Sequence, residues 1–400
     1  MPPERSGSAR PSDTPGAAPA PLLDVVLLFL RLGTTAFGGP AAHIAMMEDE
    51  VVRRRGWMSR ERFLDYLGAT NLIPGPNSTE LAIHIGHARA GWPGLLLAGA
   101  AFILPATLIV LAAAYAYVEY GTLPQVRGLL YGVQPVVIAI VGQALWGLGR
   151  TAVKSVGLGV LGALALAAVA AGTHELIVLA GAAVTMAVVR VVRNPRGAMA
   201  LLTAAGWHSG GAAAGAFAAS QAVQTPFSLW TLFLVFAKAG AVLFGSGYVL
   251  LAFLRADLVE RMGLLTERQL LDAIAIGQVT PGPVFTTATF IGYLLAGVPG
   301  AAIATVGIFL PAFFFVAISG PFVPRLRRSA TAGAVLDGVN VASLALMAVV
   351  TWQLAASALI DPLTLALCGG SLAALVFFRV NSTWLIATGA AVGLALGNVA

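Results

Sequence analysis

Long uncharged apolar segments place the strongest constraint on how this chain can fold. Residues 94–118, 128–148 and 297–320 contain no Asp, Glu, Lys or Arg. Each reaches the length of about 20 residues that a helix needs to cross a hydrocarbon core of about 30 Å. Only 10% of all residues are charged, whereas soluble domains contain roughly 25%. The sequence therefore predicts an all-α, polytopic membrane protein.

The basic residues lie in clusters between the apolar segments, at 53–55, 190–196 and 325–328. This placement follows the positive-inside rule for cytoplasmic loops. The net charge of +6 therefore reflects membrane topology, and we expect no nucleic-acid partner. The single cysteine, Cys368, lies in an apolar run and provides neither a disulfide framework nor a cysteine metal site. Residues 1–21, rich in Pro, Ser and Ala, are predicted to be a disordered tail.

The chain contains two copies of one unit. "FLRLGTTAFGGP" begins at Phe29 and "FAKAGAVLFGSG" begins at Phe236, an offset of 207 residues. Further landmarks keep this offset, or an offset of 206 after one deletion. They are Pro74-Gly75-Pro76 with Pro281-Gly282-Pro283, Gly86 with Gly292, and Pro105 with Pro311. Such sustained self-similarity is typical of duplicated structural units, so the sequence predicts two homologous halves.

Six apolar segments follow in the same order in each half. In the first half they cover residues 22–47, 63–88, 94–118, 128–148, 155–172 and 175–192. In the second half they cover residues 228–254, 270–296, 298–320, 330–356, 362–378 and 383–399. We accordingly expect a tail at 1–21, a first transmembrane repeat at 22–196, a linker at 197–227 and a second transmembrane repeat at 228–400.

The arginines also indicate how the two halves are oriented. If the Pro-Gly-Pro segment of each half enters and leaves on the same side, the three basic clusters all fall on the cytoplasmic side, as the rule requires. Each half then crosses the membrane an odd number of times, five, so the second half is inverted. If the segment spans instead, Arg150 and Lys154 fall outside and the rule is broken. We therefore favour inverted repeats with re-entrant or broken helices.

The Pro-Gly-Pro elements interrupt apolar segments at matched positions, where transporters place their substrate sites. Proline ends the incoming helix and suits the first turn of the next one. The free N–H groups at such a helix start favour anions. The substrate site is therefore predicted at Pro74, Gly75, Pro76, Asn77, Ser78, Pro281, Gly282, Pro283 and Thr286. The alternative is that each element is merely a turn.

Two matched cations, Arg31 and Lys238, lie within the first apolar segment of each half. A cation inside a membrane helix is costly and marks either a function or a paired structural charge. Snorkelling to the interface is the simpler explanation for Arg31. We favour anion binding by both cations, with close backbone approach at the neighbouring small residues Gly38, Gly39, Gly245 and Ser246.

Glu80, His84 and His87 lie on one helical face and have no counterpart in the second half. They could hold a metal or carry protons. We assign no metal ligand and expect proton coupling through Glu80 and His84. Asp65 and Asp272 are matched acids, for which helix starts and salt bridges to loop arginines are the simpler explanation.

The sequence resembles the chromate ion transporter family in its long, two-domain form. "FGGPAAHIAMMEDEVVRRRGWMSRERFLDYLGATNLIPGPNSTELAIHIG" is similar to the family's N-terminal signature, and "FGSGYVLLAFLRADLVERMGLLTERQLLDAIAIGQVTPGPVFTTATFIGYLLAG" to its C-terminal counterpart. The resemblance implies a bacterial inner-membrane protein that exports chromate, driven by the membrane potential or the proton gradient, and so confers chromate resistance. Its motif positions here are Arg31, Phe37, Gly38, Gly39, Pro40, Pro74, Gly75, Pro76, Phe244, Gly245, Pro281, Gly282 and Pro283.

Several functions remain open from the residues alone. Chromate and sulfate are tetrahedral dianions of similar size, so the alternatives are a carrier for sulfate or another oxyanion, or an anion channel. A membrane metalloenzyme would lack a fourth ligand and an activated nucleophile. We expect no enzyme, no catalytic residue and no cofactor, and the chain has no nucleotide-binding motif. The expected partners are a chromate-like or sulfate-like oxyanion and the lipid bilayer, with protons and a homodimer allowed.

Overall fold

Every regular element in the described part of the chain is helical. The computed structural model describes residues 22–36, 39–121, 123–193, 228–244, 249–319, 329–378 and 380–396. Five helices among these residues are long and apolar enough to cross a membrane: Asn77–Tyr120, Pro124–Ala152, Glu175–Val192, Val284–Ser319 and Thr331–Ala358. The all-α, polytopic membrane fold is thereby confirmed. The predicted tail at 1–21, the linker at 197–227 and the basic cluster at 325–328 lie outside the described residues.

The described residues of the first half form seven helices. They are α1 (Leu22–Thr35), α2 (Gly39–Glu48), α3 (Arg60–Thr70), α4 (Asn77–Tyr120), α5 (Pro124–Ala152), α6 (Val156–Ala170) and α7 (Glu175–Arg193). Helix α2 continues into a π-helical segment, Asp49–Arg54. Helix α3 begins after Ser59, whose hydroxyl accepts a hydrogen bond from the Arg62 amide at 3.3 Å and so caps the helix start.

The described residues of the second half form the same series. They are α8 (Leu229–Val242), α9 (Leu250–Leu254), α10 (Glu267–Val279), α11 (Thr287–Ser319), α12 (Ala330–Ala358), α13 (Pro362–Phe377) and α14 (Ser382–Leu396). Helix α9 continues into a π-helical segment, Arg255–Arg261, and a 3₁₀ turn, Val284–Thr286, precedes α11. Thr266 caps α10 at the position that matches Ser59 at offset 207. The local structure thus repeats with the sequence.

Helices α4 and α11 are broken at matched positions. In α4, Ala90 has φ −138° and ψ 21°, and Gly91 has φ 61° and ψ −147°. In α11, Ala296 has φ −150° and ψ 26°, and Gly297 has φ 61° and ψ −149°. A positive φ of this kind is accessible to glycine at little cost. Each helix is therefore divided into a short first part and a long second part.

The two parts of each broken helix fold back on one another. A Cβ on Gly86 would clash with the backbone oxygen of Gly94, and a Cβ on Gly94 with that of Gly86. Gly292 and Gly300 make the same approach in α11. Small residues allow membrane helices to pack this closely, which explains why glycine stands at all four positions.

The Pro-Gly-Pro segment enters the helix bundle and returns to the same side. The Arg89 guanidinium donates to the Trp57 carbonyl at 3.4 Å, and the Tyr66 and His84 rings stack with centroids 5.3 Å apart. Helix α3 and the first part of α4 therefore run antiparallel, with Pro74-Gly75-Pro76 at the turn between them. This arrangement is a re-entrant hairpin, as favoured from the sequence.

The first apolar segment also turns back, which corrects the count of five membrane crossings in each half. Helix α1 has 14 residues and rises about 21 Å, less than the core of about 30 Å. His43 Nε2 lies 3.0 Å from the Ala36 carbonyl oxygen, and Arg31 forms an ion pair with Glu50 at 2.5 Å. Residues 22–47, predicted to cross the membrane, thus belong to a second hairpin.

The two halves are inverted relative to each other. Leu95, near the start of the long part of α4, clusters with Val316, near the end of α11. A Cβ on Gly99 would lie 2.5 Å from the Phe313 ring. The long parts of α4 and α11 therefore run antiparallel. Because they are matched elements of the two copies, the predicted inversion is confirmed, although the crossing count that suggested it was wrong.

Most of the basic residues that the structure describes lie at one end of this bundle. Trp57 and Arg89 meet there, and α5 returns to it after α4 has crossed. Lys154, just after α5, pairs at 2.7 Å with Asp337 near the start of α12. We call this end the basic face and the other end the opposite face. This ion pair also joins the end of α5 in the first half to α12 in the second half.

Candidate functional site

The two Pro-Gly-Pro elements meet the first helix of the opposite half in the middle of the bundle. The Gly75 amide donates to the Leu243 carbonyl, just after α8, at 2.7 Å. The Gly282 amide donates to the Ala36 carbonyl, just after α1, at 3.0 Å. These two hydrogen bonds are matched under the repeat. Each broken segment is therefore held by the half to which it does not belong.

Both central glycines are required by backbone conformation and by space. Gly75 has φ 141° and Gly282 has φ 95°, a region that side chains strongly disfavour. A Cβ on Gly282 would lie 2.8 Å from the Ala106 Cβ and 3.1 Å from the Gly33 carbonyl oxygen. A Cβ on Gly75 would clash with the Glu80 carboxyl and lie 3.6 Å from the Ala312 Cβ.

Two uncapped helix starts follow these breaks. Helix α4 begins at Asn77 after Pro76, and the 3₁₀ turn that leads into α11 begins after Pro283; neither start has a side-chain cap. The first amides of a helix have no partner within the helix and form its positive end. Two such ends, one from each half, give this region a capacity to bind an anion.

The polar side chains predicted at these starts are mostly engaged locally. The side-chain amide of Asn77, Nδ2, donates to Asn71 Oδ1 at 2.8 Å. The Thr286 hydroxyl donates to the Pro283 carbonyl at 2.8 Å. Ser78 Oγ lies 3.3 Å from His43 Nδ1. The first backbone amides of these helices, rather than these side chains, are therefore the candidate donors to an anion.

Among the small residues predicted beside the two cations, the structure describes Gly39. It also places His43, which the sequence pattern did not indicate, next to the predicted site. Gly39 begins α2 with φ 77°, while Gly38, Gly245 and Ser246 lie outside the described residues. His43 is buried and lies within hydrogen-bonding distance of both Ala36 and Ser78, so it joins α1, α2 and the start of α4. The repeat gave no signal for it, because Leu250 occupies the matched position.

Glu80 and His84 bring buried polar groups to the site. Glu80 is fully buried beside Gly75, and among the described residues neither carboxyl oxygen has a hydrogen-bond partner. His84 is also buried, and its Nε2 has no partner in that part of the chain. Buried polar groups are normally satisfied, so unsatisfied ones often mark a functional role.

The matched cations are both paired with matched carboxylates. Arg31 pairs with Glu50 at 2.5 Å, and Lys238 pairs with Asp257; Glu50 and Asp257 lie at offset 207. The paired structural charge considered from the sequence is therefore present in both halves. Anion binding by the two cations stays a prediction, and their carboxylate partners weaken it.

These ion pairs extend into two related clusters, which we name by position. The first cluster, Arg31, Glu50 and Arg54, lines an open cavity of about 410 Å³. The second cluster, Lys238, Asp257 and Arg261, lies beside a cavity of about 280 Å³ that Arg261 lines. Both clusters draw on the π-helical segments, which recur at functional sites in proteins.

The two clusters differ in the carboxylates that contact them. In the second cluster, Glu175 at the start of α7 pairs with Arg261 and lies 3.8 Å from Lys238. The side chains of Arg31 and Lys238 are 52% and 28% exposed. Glu175 belongs to the first half, so it ties the two halves together on the opposite face.

His87, the third residue on the helical face of Glu80 and His84, contacts an aromatic ring. His87 packs edge-on against Trp92, with ring centroids 5.5 Å apart. Among the described residues, no group of three or more His, Cys, Asp or Glu side chains is placed to hold a metal ion. Of the two matched acids, Asp272 departs from the salt-bridge explanation, because it is buried and forms no ion pair with a described residue.

Comparison with known proteins gives a consistent result. The family model described as "Chromate transporter" matches residues 23–188 and 230–394. A chromate transport protein of Cupriavidus metallidurans is 34% identical over 96% of this chain and 96% of its own length. One from Pseudomonas aeruginosa is 34% identical over 87% and 86%. A probable chromate transport protein of Synechococcus elongatus is 34% identical over 79% and 80%.

No solved structure matches this chain. The family model covers both halves and most of the residues, in agreement with the internal repeat. The chain belongs to the chromate transporter family.

Proposed function

We propose that the protein is a secondary transporter that exports chromate across the bacterial inner membrane. The observation that carries this proposal is the pair of uncapped helix starts, one from each inverted half, in the middle of the bundle. Discontinuous helices in inverted repeats bind substrates near the membrane midplane in many secondary transporters. The names of the relatives support chromate as the substrate.

The chemistry of the site suits a small tetrahedral dianion. Backbone amides donate hydrogen bonds without bringing a counter-charge that would hold the anion permanently. The positive φ of Gly75 and Gly282 shapes the turns that lead into the two helix starts. Sulfate has the same charge and shape, so we expect sulfate to compete with chromate at this site.

The membrane potential can drive export. Moving an elementary charge through 100 mV is worth about 2.3 kcal/mol, so a dianion gains about 4.6 kcal/mol on leaving a negative interior. The excess of basic residues assigns the basic face to the cytoplasm. The open first cavity then faces the cytoplasm, where chromate would be captured.

Alternating access, rather than a continuous pore, fits the difference between the two clusters. Glu175 of the first half pairs with Arg261 in the second cluster, whereas among the described residues the first cluster forms no ion pair with the second half. A carrier exposes its site to one side at a time, and inverted repeats achieve this by exchanging the conformations of the two halves. This difference favours a transporter over an anion channel.

Reconstituted vesicles test the proposal. Purified protein is placed in liposomes loaded with unlabelled chromate, and entry of labelled chromate is followed with and without excess sulfate. We expect saturable counterflow that sulfate slows and a suitably directed membrane potential accelerates. A flux without saturation or counterflow would indicate a channel, and an absence of chromate flux would contradict the proposal.

A further inference from the structure

Asp272 is a buried carboxyl at the boundary between the two halves. It lies on α10 and is 1% exposed. The Tyr117 hydroxyl donates to Asp272 Oδ2 at 2.9 Å, and Gln134 Nε2 donates to Oδ1 at 2.8 Å. Tyr117 belongs to α4 and Gln134 to α5, so both partners come from the first half. A carboxyl of one half is thus held by two neutral donors of the other.

Asp272 forms no ion pair with any described residue. Arg268, one turn earlier on α10, is exposed. Helices α9, α11 and α14 contain no acidic or basic residue. Among the charged residues on its own and neighbouring elements, Glu119, Arg127 and Arg150 are exposed, Asp337 pairs with Lys154, and Arg255 pairs with Glu260 and Glu267. Asp257 and Arg261 pair with each other. Glu80 is buried without a hydrogen-bond partner, but it lies in the short first part of α4, whereas Tyr117 lies near the end of the long second part.

The environment of Asp272 can accommodate both protonation states. As a carboxylate it accepts from Tyr117 and Gln134, as observed. As a carboxylic acid it can donate its proton to the Tyr117 oxygen, because a hydroxyl is both a donor and an acceptor. In either state both carboxyl oxygens of Asp272 keep a hydrogen-bond partner. A buried structural carboxylate would more typically be matched with a cation.

Comparison of the two copies shows that burial of this carboxyl is specific to the second half. Asp65, the match at offset 207, is exposed, and Asn340 matches Gln134 at offset 206. Because the halves are inverted, α10 enters the bundle from the opposite face. Asp272 therefore lies in the half of the bundle nearer that face, from which protons would enter as the anion leaves.

We propose that Asp272 is a proton-binding carboxyl that couples proton entry to anion export. Protonation removes a negative charge from the contact between the halves, and a charge there is costly in the membrane interior. Protonation of Asp272 therefore changes the balance between conformations in which it contacts Tyr117 and Gln134 and conformations in which these contacts are broken. This inference rests on the proposed function, since it assigns the coupling residue of the same transporter.

The test uses the full chain in liposomes, with the membrane potential clamped by potassium and valinomycin and the pH gradient set separately. Chromate flux is measured for the wild type, Asp272→Asn and the matched exposed variant Asp65→Asn. Asparagine can keep both hydrogen bonds, accepting from Gln134 and donating to Tyr117, but cannot take up a proton. We expect Asp272→Asn to lose the response to the pH gradient while keeping counterflow, and Asp65→Asn to respond like the wild type.

A full response in Asp272→Asn would overturn the inference, as would a wild type that transports chromate without responding to the pH gradient. Absence of chromate counterflow in the wild type would instead contradict the proposed function. Tyr117→Phe provides a second readout, because the ionised carboxylate loses one donor. The pH of half-maximal stimulation should then move upward, whereas a purely structural tie would leave it unchanged.

Discussion

At the scale of single residues, a substitution of Gly282 tests whether close packing around its backbone stabilises the candidate site. Gly282→Ala would force a side chain into φ 95° and within 2.8 Å of the Ala106 Cβ. We expect a loss of about 1–3 kcal/mol in stability and a severe loss of chromate flux. The measurement is thermal unfolding in detergent, followed by flux in liposomes.

Gly142→Ala is the matched control, because a Cβ at Gly142 meets nothing within 4 Å. This variant should keep both the unfolding temperature and the flux of the wild type. Equal behaviour of the two variants would show that the contact between Gly282 and Ala106 is unimportant.

Glu80 makes a separate prediction about binding. An ionised Glu80 beside Gly75 would repel a dianion at the start of α4, so anion binding should weaken as pH rises and this carboxyl loses its proton. Glu80→Gln should bind sulfate with an affinity that no longer falls with pH. Sulfate is the appropriate probe because it remains a dianion across the neutral range.

Exposed Glu61, near the start of α3, provides the control for Glu80. Glu61→Gln should retain the pH dependence of the wild type in the same titration. If Glu80→Gln retained it as well, the charge of Glu80 would have no influence on anion binding and the residue would have a structural role.

At the scale of helices, Glu175 tests the difference between the two charge clusters. Glu175→Gln removes the partner that α7 offers to Lys238 and Arg261, so the second cavity should open more often. In a Cys368→Ser background, Val349→Cys places a single thiol beside that cavity. We expect Glu175→Gln to accelerate labelling by a membrane-impermeant thiol reagent added outside.

Glu260→Gln serves as the control, since Glu260 lines the same cavity but pairs with Arg255. It should leave the labelling rate unchanged. Equal labelling in the wild type and in Glu175→Gln would show that this carboxylate does not hold the second cluster closed.

The sequence predicted the broken helices because their cause is local. Proline and glycine end helices whatever surrounds them, and the offset of 207 residues places Pro74-Gly75-Pro76 and Pro281-Gly282-Pro283 in equivalent positions. The carboxylate partners of Arg31 and Lys238 were missed, although Glu50 and Asp257 are matched at that same offset. Applying the repeat to acidic residues would have found them.

Other features depend on contacts between segments far apart in the sequence. The hydrogen bonds from Gly75 to Leu243 and from Gly282 to Ala36 join backbone groups, so no side-chain pattern reports them. The burial of Asp272 depends on Tyr117 and Gln134 in the other half. Hydropathy also suggested that residues 22–47 cross the membrane, because it does not reveal where a continuous apolar segment turns back.

At the scale of the whole molecule, the inversion predicts that matched residues lie on opposite sides of the membrane. Ser59 and Thr266 are suitable because both are exposed and both cap their helices, so replacement costs each half a similar amount. In the Cys368→Ser background, Ser59→Cys should be labelled only from the cytoplasm and Thr266→Cys only from outside. Labelling of both from one side would contradict the inverted arrangement.

The claim that an oxyanion binds between the two helix starts has a direct structural test. Crystals of the protein grown with chromate can be measured at the chromium absorption edge, where anomalous scattering locates the metal of the bound anion. We predict one dominant peak between the start of α4 at Asn77 and the turn that begins at Val284, and its loss when excess sulfate is added. A dominant peak beside Arg31 and Arg54 instead, with none between the helix starts, would contradict the account.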